Sequence, residues 1–94
     1  MTNGLDSPAD GGGNKAPPLR DLVLWLARAL VEHPDQVVVD EIQEPDAVVY
    51  ELKVAESDLG RVIGRQGRTA KALRTVLSAA SAKMKRRAIL EILE

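Results

Sequence analysis

The sequence predicts a small α+β domain, on three observations. Apolar residues recur at helical spacing from Leu19 to Leu30, two β-rich segments flank the turn Glu44-Pro45-Asp46, and a second helical stripe follows the glycine pair Gly64 and Gly67. The 94 residues hold one domain with one core, and leave no room for a nucleotide-binding sheet with a separate substrate domain.

Residues 1–16 contain Gly11-Gly12-Gly13 among Asn, Asp, Ser and Pro with almost nothing apolar. Such a stretch cannot offset its ordering entropy, so it predicts a flexible tail ahead of a domain at 17–94. That polar start lacks the apolar stretch of a secretion signal, and no apolar run approaches the roughly 18 residues that span a bilayer. The expectation is a cytoplasmic protein without membrane contact.

Pro17-Pro18 suits a first helical turn, and Leu19, Leu22, Val23, Leu26, Ala29 and Leu30 then form one stripe, ended by His33-Pro34. Trp25 lies off the centre of that stripe and is expected as a partly buried anchor at its edge. Val37 to Ile42 is rich in β-branched residues, and Ala47 to Val54 alternates, with Val48, Tyr50, Leu52 and Val54 on one side. The two read as an antiparallel hairpin. Ser57 suits an N-cap with Asp58 just inside, predicting a short helix from Ser57 to Ile63 that stops at Gly64. After Gly67, Ala70, Leu73, Val76, Leu77 and Ala80 carry a second helix to about Lys83. Periodicity does not decide the end of the chain: Met84, Ala88, Ile89 and Ile92 continue a helical stripe, whereas Ala88, Leu90 and Ile92 alternate. The basic cluster Lys83, Lys85, Arg86, Arg87 and the need of a two-stranded hairpin for a third strand favour a strand from about Arg87 to Leu93.

Charge is divided along the chain. Residues 1–59 hold four Lys/Arg against twelve Asp/Glu, and residues 60–94 hold nine against two, so the net charge of -1 conceals halves of -8 and +7. With no cysteine and one histidine, His33, there is neither a disulfide framework nor a metal-ligand cluster. No cofactor is expected.

Outside the tail, the glycines Gly60, Gly64 and Gly67 lie within eight residues. A Gly-x-x-Gly turn between helices permits positive φ and leaves backbone amides uncovered at a helix N-terminus, where the dipole favours anions. Arg61, Arg65, Arg68, Lys71 and Arg74 surround it, with no acidic residue from Gly60 to Arg74. A lone Gly-x-x-Gly more often serves only as a cap and tight turn. Here a short helix ending in Val62-Ile63 precedes it and a basic amphipathic helix follows, which points to contact with a phosphate backbone.

The run Leu59-Gly60-Arg61-Val62-Ile63-Gly64-Arg65-Gln66-Gly67-Arg68-Thr69-Ala70-Lys71-Ala72-Leu73-Arg74 resembles the signature of KH domains, specifically the small bacterial single-KH proteins of the KhpA family, and the likeness extends from about Leu19 to Leu93. It implies the order α-β-β-α-α-β of a type II KH-like domain, a three-stranded mixed sheet with three helices on one face, and it is the main reason for the third strand. It also implies that the turn clamps the backbone of single-stranded RNA while an adjacent apolar groove receives unstacked bases. Carried onto matching positions, Gly64 and Gly67 shape the clamp, Arg65 and Gln66 project from it, Gly60 lets the ligand approach, and Ile63 contributes to an aliphatic floor. Arg61, Arg68 and Lys71 neutralise phosphates, with Arg74 two turns further on. The resemblance further implies self-association, or pairing with a larger Jag-type KH protein. The tail has no counterpart in the common pattern.

Three rival functions fit less well. For an enzyme acting on nucleotides, Val62 stands where Gly-x-Gly-x-x-Gly needs its second glycine, no Gly-x-x-x-x-Gly-Lys-Ser/Thr occurs, and no nucleophile and base pair is visible. A base-stacking platform needs more aromatics than Trp25 and Tyr50. A pure protein-interaction module, using the apolar helix and strands, is compatible with RNA binding rather than exclusive of it.

Overall fold

The structure, a computed structural model, describes residues 18–84 and 86–94; the predicted tail at 1–16 lies outside them. Six principal elements follow in order: α1 (Leu19–Leu30), β1 (Val38–Gln43), β2 (Ala47–Lys53), α2 (Leu59–Ile63), α3 (Arg68–Ala80) and β3 (Arg87–Ile92). Single 3-10 turns at Pro34–Gln36, Glu56–Asp58 and Arg65–Gly67 link them. The α-β-β-α-α-β order is therefore present, and the ambiguous C-terminal segment is a strand.

The sheet has the order β1-β2-β3. β1 and β2 pair antiparallel across the Glu44–Ala47 turn, and β3 returns through α2 and α3 to pair parallel with β2, with Tyr50 opposite Leu90. A parallel partner needs such a crossover, and here the crossover carries the glycine turn. The three helices pack on one face, over a core built from Leu19, Val23 and Ala27 of α1, Val39, Val48, Tyr50, Leu52 and Leu90 of the sheet, and Val62, Leu73 and Leu77. Leu52, Leu77, Val39, Val48 and Val62 are fully buried, each contributing about 1.5–3 kcal/mol by removal from water.

Both outer edges of the sheet are met by a helix arginine. Ala47 and Glu44 exchange backbone hydrogen bonds, so in β1 the even-numbered residues face β2 and Val39 turns its carbonyl outward, where Arg20 Nε of α1 donates to it at 2.9 Å. On the other side, Arg87 and Leu93 donate to Asp46 and Leu52, so Leu90 turns its carbonyl outward and Arg74 Nε of α3 donates to it at 3.3 Å.

Four sequence readings are corrected. Trp25 is 68 % exposed: the buried side of α1 is set by Leu19, Val23 and Ala27, and a residue two positions after Val23 points well away from it. Val76 and Ala80 are exposed rather than part of the buried stripe, which narrows to Ala70, Leu73 and Leu77, and α3 ends at Ala80, short of Lys83. Ser57 makes no capping bond; Glu56–Asp58 is a separate 3-10 turn and α2 begins at Leu59. Beyond these corrections, Arg86 donates to the side chain of Gln43 and to the carbonyls of Glu44 and Ala47, tying the β1–β2 turn to the approach of β3.

Candidate nucleic-acid interface

α2 stops because Gly64 leaves the helical region at φ +77, while its N–H still closes on the Gly60 carbonyl at 2.8 Å. The chain then reverses through Gln66 (φ +57) and Gly67 (φ +73), with the Gly67 N–H bonded to the Gly64 carbonyl at 3.1 Å. Three left-handed residues in four make the turn tight and leave its side chains outside. Arg65 and Gln66 are exposed. The requirement for glycine is strictest at Gly64, where a Cβ would lie 2.2 Å from Thr69 Oγ1.

α3 starts directly after this turn, so its first amides and the positive end of its dipole lie at the Gly64–Gly67 corner. Arg65, Arg68 and Lys71 are exposed there, and among the described residues none of them forms an ion pair. Gly60 is exposed, and a Cβ added to it would meet nothing within 4 Å. Ile63 is half-buried, packed against the core from one side. Gly60, Ile63, Gly64, Arg65, Gln66, Gly67, Arg68 and Lys71 thus share the α2–turn–α3 corner.

The other two cations are engaged elsewhere. Arg74 reaches the β3 edge. Arg61 turns back toward the end of α1, with Nη2 2.9 Å from Glu32 Oε2 and Nε 3.6 Å from Asp58 Oδ1. Asp58 is the residue that sequence reasoning missed. Read there as a helix-start carboxylate, it has no exposed surface and accepts the backbone N–H of Glu32 at 3.0 Å, the backbone N–H of His33 at 2.9 Å and a contact from His33 Nδ1 at 3.0 Å. Burial alone would raise its pKa, but these hydrogen bonds outweigh burial and hold the carboxyl below its ordinary value. One buried carboxylate therefore fixes the α1–β1 connection to the start of α2. The sequence signal was only a lone histidine before a proline, with nothing to name its partner 25 positions away.

Tyr50 is 2 % exposed and Trp25 lies on the outer side of α1, so neither stands at this corner to receive a base. The model of the KhpA/KhpB KH domain matches residues 20–92. The chain belongs to the KhpA/KhpB KH-domain family. KhpA proteins are among its relatives: the "RNA-binding protein KhpA" of Caldanaerobacter subterraneus subsp. tengcongensis is 51 % identical over 73 residues, covering 78 % of this chain and 97 % of that protein. The KhpA of Aquifex aeolicus is 50 % identical over 76 residues, 81 % of this chain and 96 % of its own. That of Listeria monocytogenes serovar 1/2a is 41 % identical over 76 residues, 81 % of this chain and the whole of its own. No solved structure matches. Membership of a KhpA/KhpB KH family agrees with the non-enzymatic reading of the sequence, and among the described residues no helix is long and apolar enough to cross a membrane.

Proposed function

We propose that this chain is a non-catalytic cytoplasmic protein that clamps the backbone of single-stranded RNA on the turn Gly64-Arg65-Gln66-Gly67 and acts as an RNA chaperone or post-transcriptional regulator. The observation that carries this reading is the turn itself: three left-handed residues bring the chain round onto the N-terminus of a 13-residue helix, with three cations beside it that no described carboxylate neutralises. The relatives named as RNA-binding proteins support it. Phosphates meet the turn amides, Arg65, Arg68 and Lys71, while Gly60 and Ile63 offer an open, aliphatic surface for bases. Arg61 contributes its charge once it is released from Glu32.

The test is the double substitution Arg65→Asp and Gln66→Asp. Both side chains are exposed, and aspartate tolerates the left-handed backbone at position 66 better than most residues. Circular dichroism and Tm should change little. A unit charge 4 Å from another is worth about 1 kcal/mol in water and more at a protein surface, so losing a cation and gaining two carboxylates should weaken RNA binding by at least about tenfold. A folded double variant that binds RNA as tightly as the parent would refute the clamp.

A second reading, association with a further KH chain as a homodimer or with a larger Jag-type partner, is favoured by a specific surface. Leu26, Ala29 and Leu30 of α1 and Ala72, Leu73 and Val76 of α3 line an almost purely apolar groove, beside which Trp25, Leu30 and Val76 are exposed. The small residues Ala29 and Ala72 let another helix approach closely. Thr69, which packs against Gly64, closes the end of this groove nearest the turn.

A further inference from the structure

The face of the sheet opposite the helices has chemistry that RNA binding does not use. Side chains alternate along each strand, so if Val39, Val48, Tyr50, Leu52 and Leu90 meet the helices, the residues between them face the other way, where no described helix lies. The pairing register arranges these into rows across the three strands. Ile42, Val49 and Ile89 are direct neighbours, with Val49 only 7 % exposed between the two isoleucines, and the next row is Asp40, Glu51 and Glu91; the cations of this face, Lys53 and Arg87, stand in the rows beyond, toward its two ends. At its β1 border the face exposes Val38 by 46 % and Ile42 by 38 %. Among the described residues none of the three carboxylates is in an ion pair. Like charges placed opposite one another on adjacent strands work against the pairing.

We infer that this open sheet face docks an amphipathic protein helix whose polar flank carries lysine or arginine. The spacing suits a helix lying across the strands: side chains at i and i+4 are about 5–6 Å apart, close to the roughly 4.8 Å between strands. Successive cations on one flank then follow Asp40, Glu51 and Glu91, while the aliphatic side rests on Ile42 and Ile89 across the buried Val49. Such a partner removes apolar surface from water and relieves the carboxylate row. The same row repels phosphate, so RNA belongs on the basic corner and the helix on this face, and both bind together.

The probe is a synthetic helical peptide with leucines along one side and lysines along the adjoining flank, titrated into the full-length protein while backbone amide shifts are followed. Two controls share its length: one with glutamate for each lysine, the other with serine for each leucine. The leucine–lysine peptide should move the amides of Ile42, Glu51, Ile89 and Glu91, and both controls should bind at least tenfold more weakly. Asp40→Asn with Glu91→Gln, two exposed and near-isosteric changes, should weaken the peptide at least tenfold and leave RNA affinity as it was. Glu51→Lys should abolish peptide binding. Shifts confined to the α1–α3 groove, equal binding by the serine control, competition between peptide and RNA, or undiminished affinity in the Asn/Gln variant would each overturn the assignment.

Discussion

Gly60 and Gly64 are both glycine for different reasons. At Gly64 the backbone has φ +77 and an added Cβ would strike Thr69, so any other residue reshapes the turn. At Gly60, within α2, the Cβ position is empty and only a ligand would notice it. Gly60→Ala should therefore raise stability, by up to about 0.5–1 kcal/mol for a helical glycine, while weakening RNA binding; thermal melts and a binding titration on one sample check both. A variant that gained stability and kept its affinity would move the RNA away from α2. Asp58 makes a different prediction. Its carboxyl is held below its ordinary pKa by hydrogen bonds from Glu32 and His33. The stabilisation it provides is therefore complete above the unfolded-state value of about 4 and is lost as pH falls through the lower folded value. Asp58→Asn should reduce Tm at neutral pH and flatten the acid limb of a Tm–pH curve. An unchanged limb would show that another carboxylate controls acid unfolding.

Elements differ in how far the sequence reveals them. α1, the hairpin and α3 are legible because each buries a face through short-range periodicity, and the glycine turn because positive φ has a residue-type signature. The C-terminal strand was not decided by its own residues: Ala88, Ile89, Leu90 and Ile92 satisfy either period, and what settles them is the unsatisfied edge of β2, a contact about 40 positions away in the chain. The exposure of Trp25 and the partners of Asp58 and Arg86 were illegible for the same reason. Which side of α1 is innermost, which backbone amides a carboxylate meets and which carbonyls an arginine reaches are set by tertiary packing. The exposure of Val76 and Trp25 bears on association: full-length protein should elute above its 10.2 kDa monomer mass, and the emission of Trp25, the sole tryptophan, should shift to the blue as concentration rises. Val76→Asp should abolish both changes without altering RNA binding. A 10.2 kDa species at high concentration by light scattering would exclude the homodimer.

At the scale of the whole molecule, charge is concentrated in two places. The cations of the clamp corner occupy the stretch from Gly60 to Arg74, which has no acidic residue, while Asp40, Glu51 and Glu91 share the far face of the sheet. With Arg65, Arg68 and Lys71 as the unpaired cations at the turn, log affinity for single-stranded RNA should fall against log salt with a slope near -2, at about 0.7 per phosphate contact. Arg65→Gln should make that slope shallower by about 0.7, and a flat response in the parent would place RNA elsewhere. The arginines at the sheet edges act on what the fold can become. A three-stranded sheet ending in the apolar run Ala88-Ile89-Leu90 would ordinarily recruit a fourth strand from any extended chain. Arg20 occupies the outward carbonyl of Val39 near the start of β1 and Arg74 that of Leu90 midway along β3, so an incoming strand would have to displace a guanidinium before its ladder could continue. Each border is thereby guarded against edge-to-edge pairing, and removing both guanidiniums should make the protein more prone to strand-mediated aggregation.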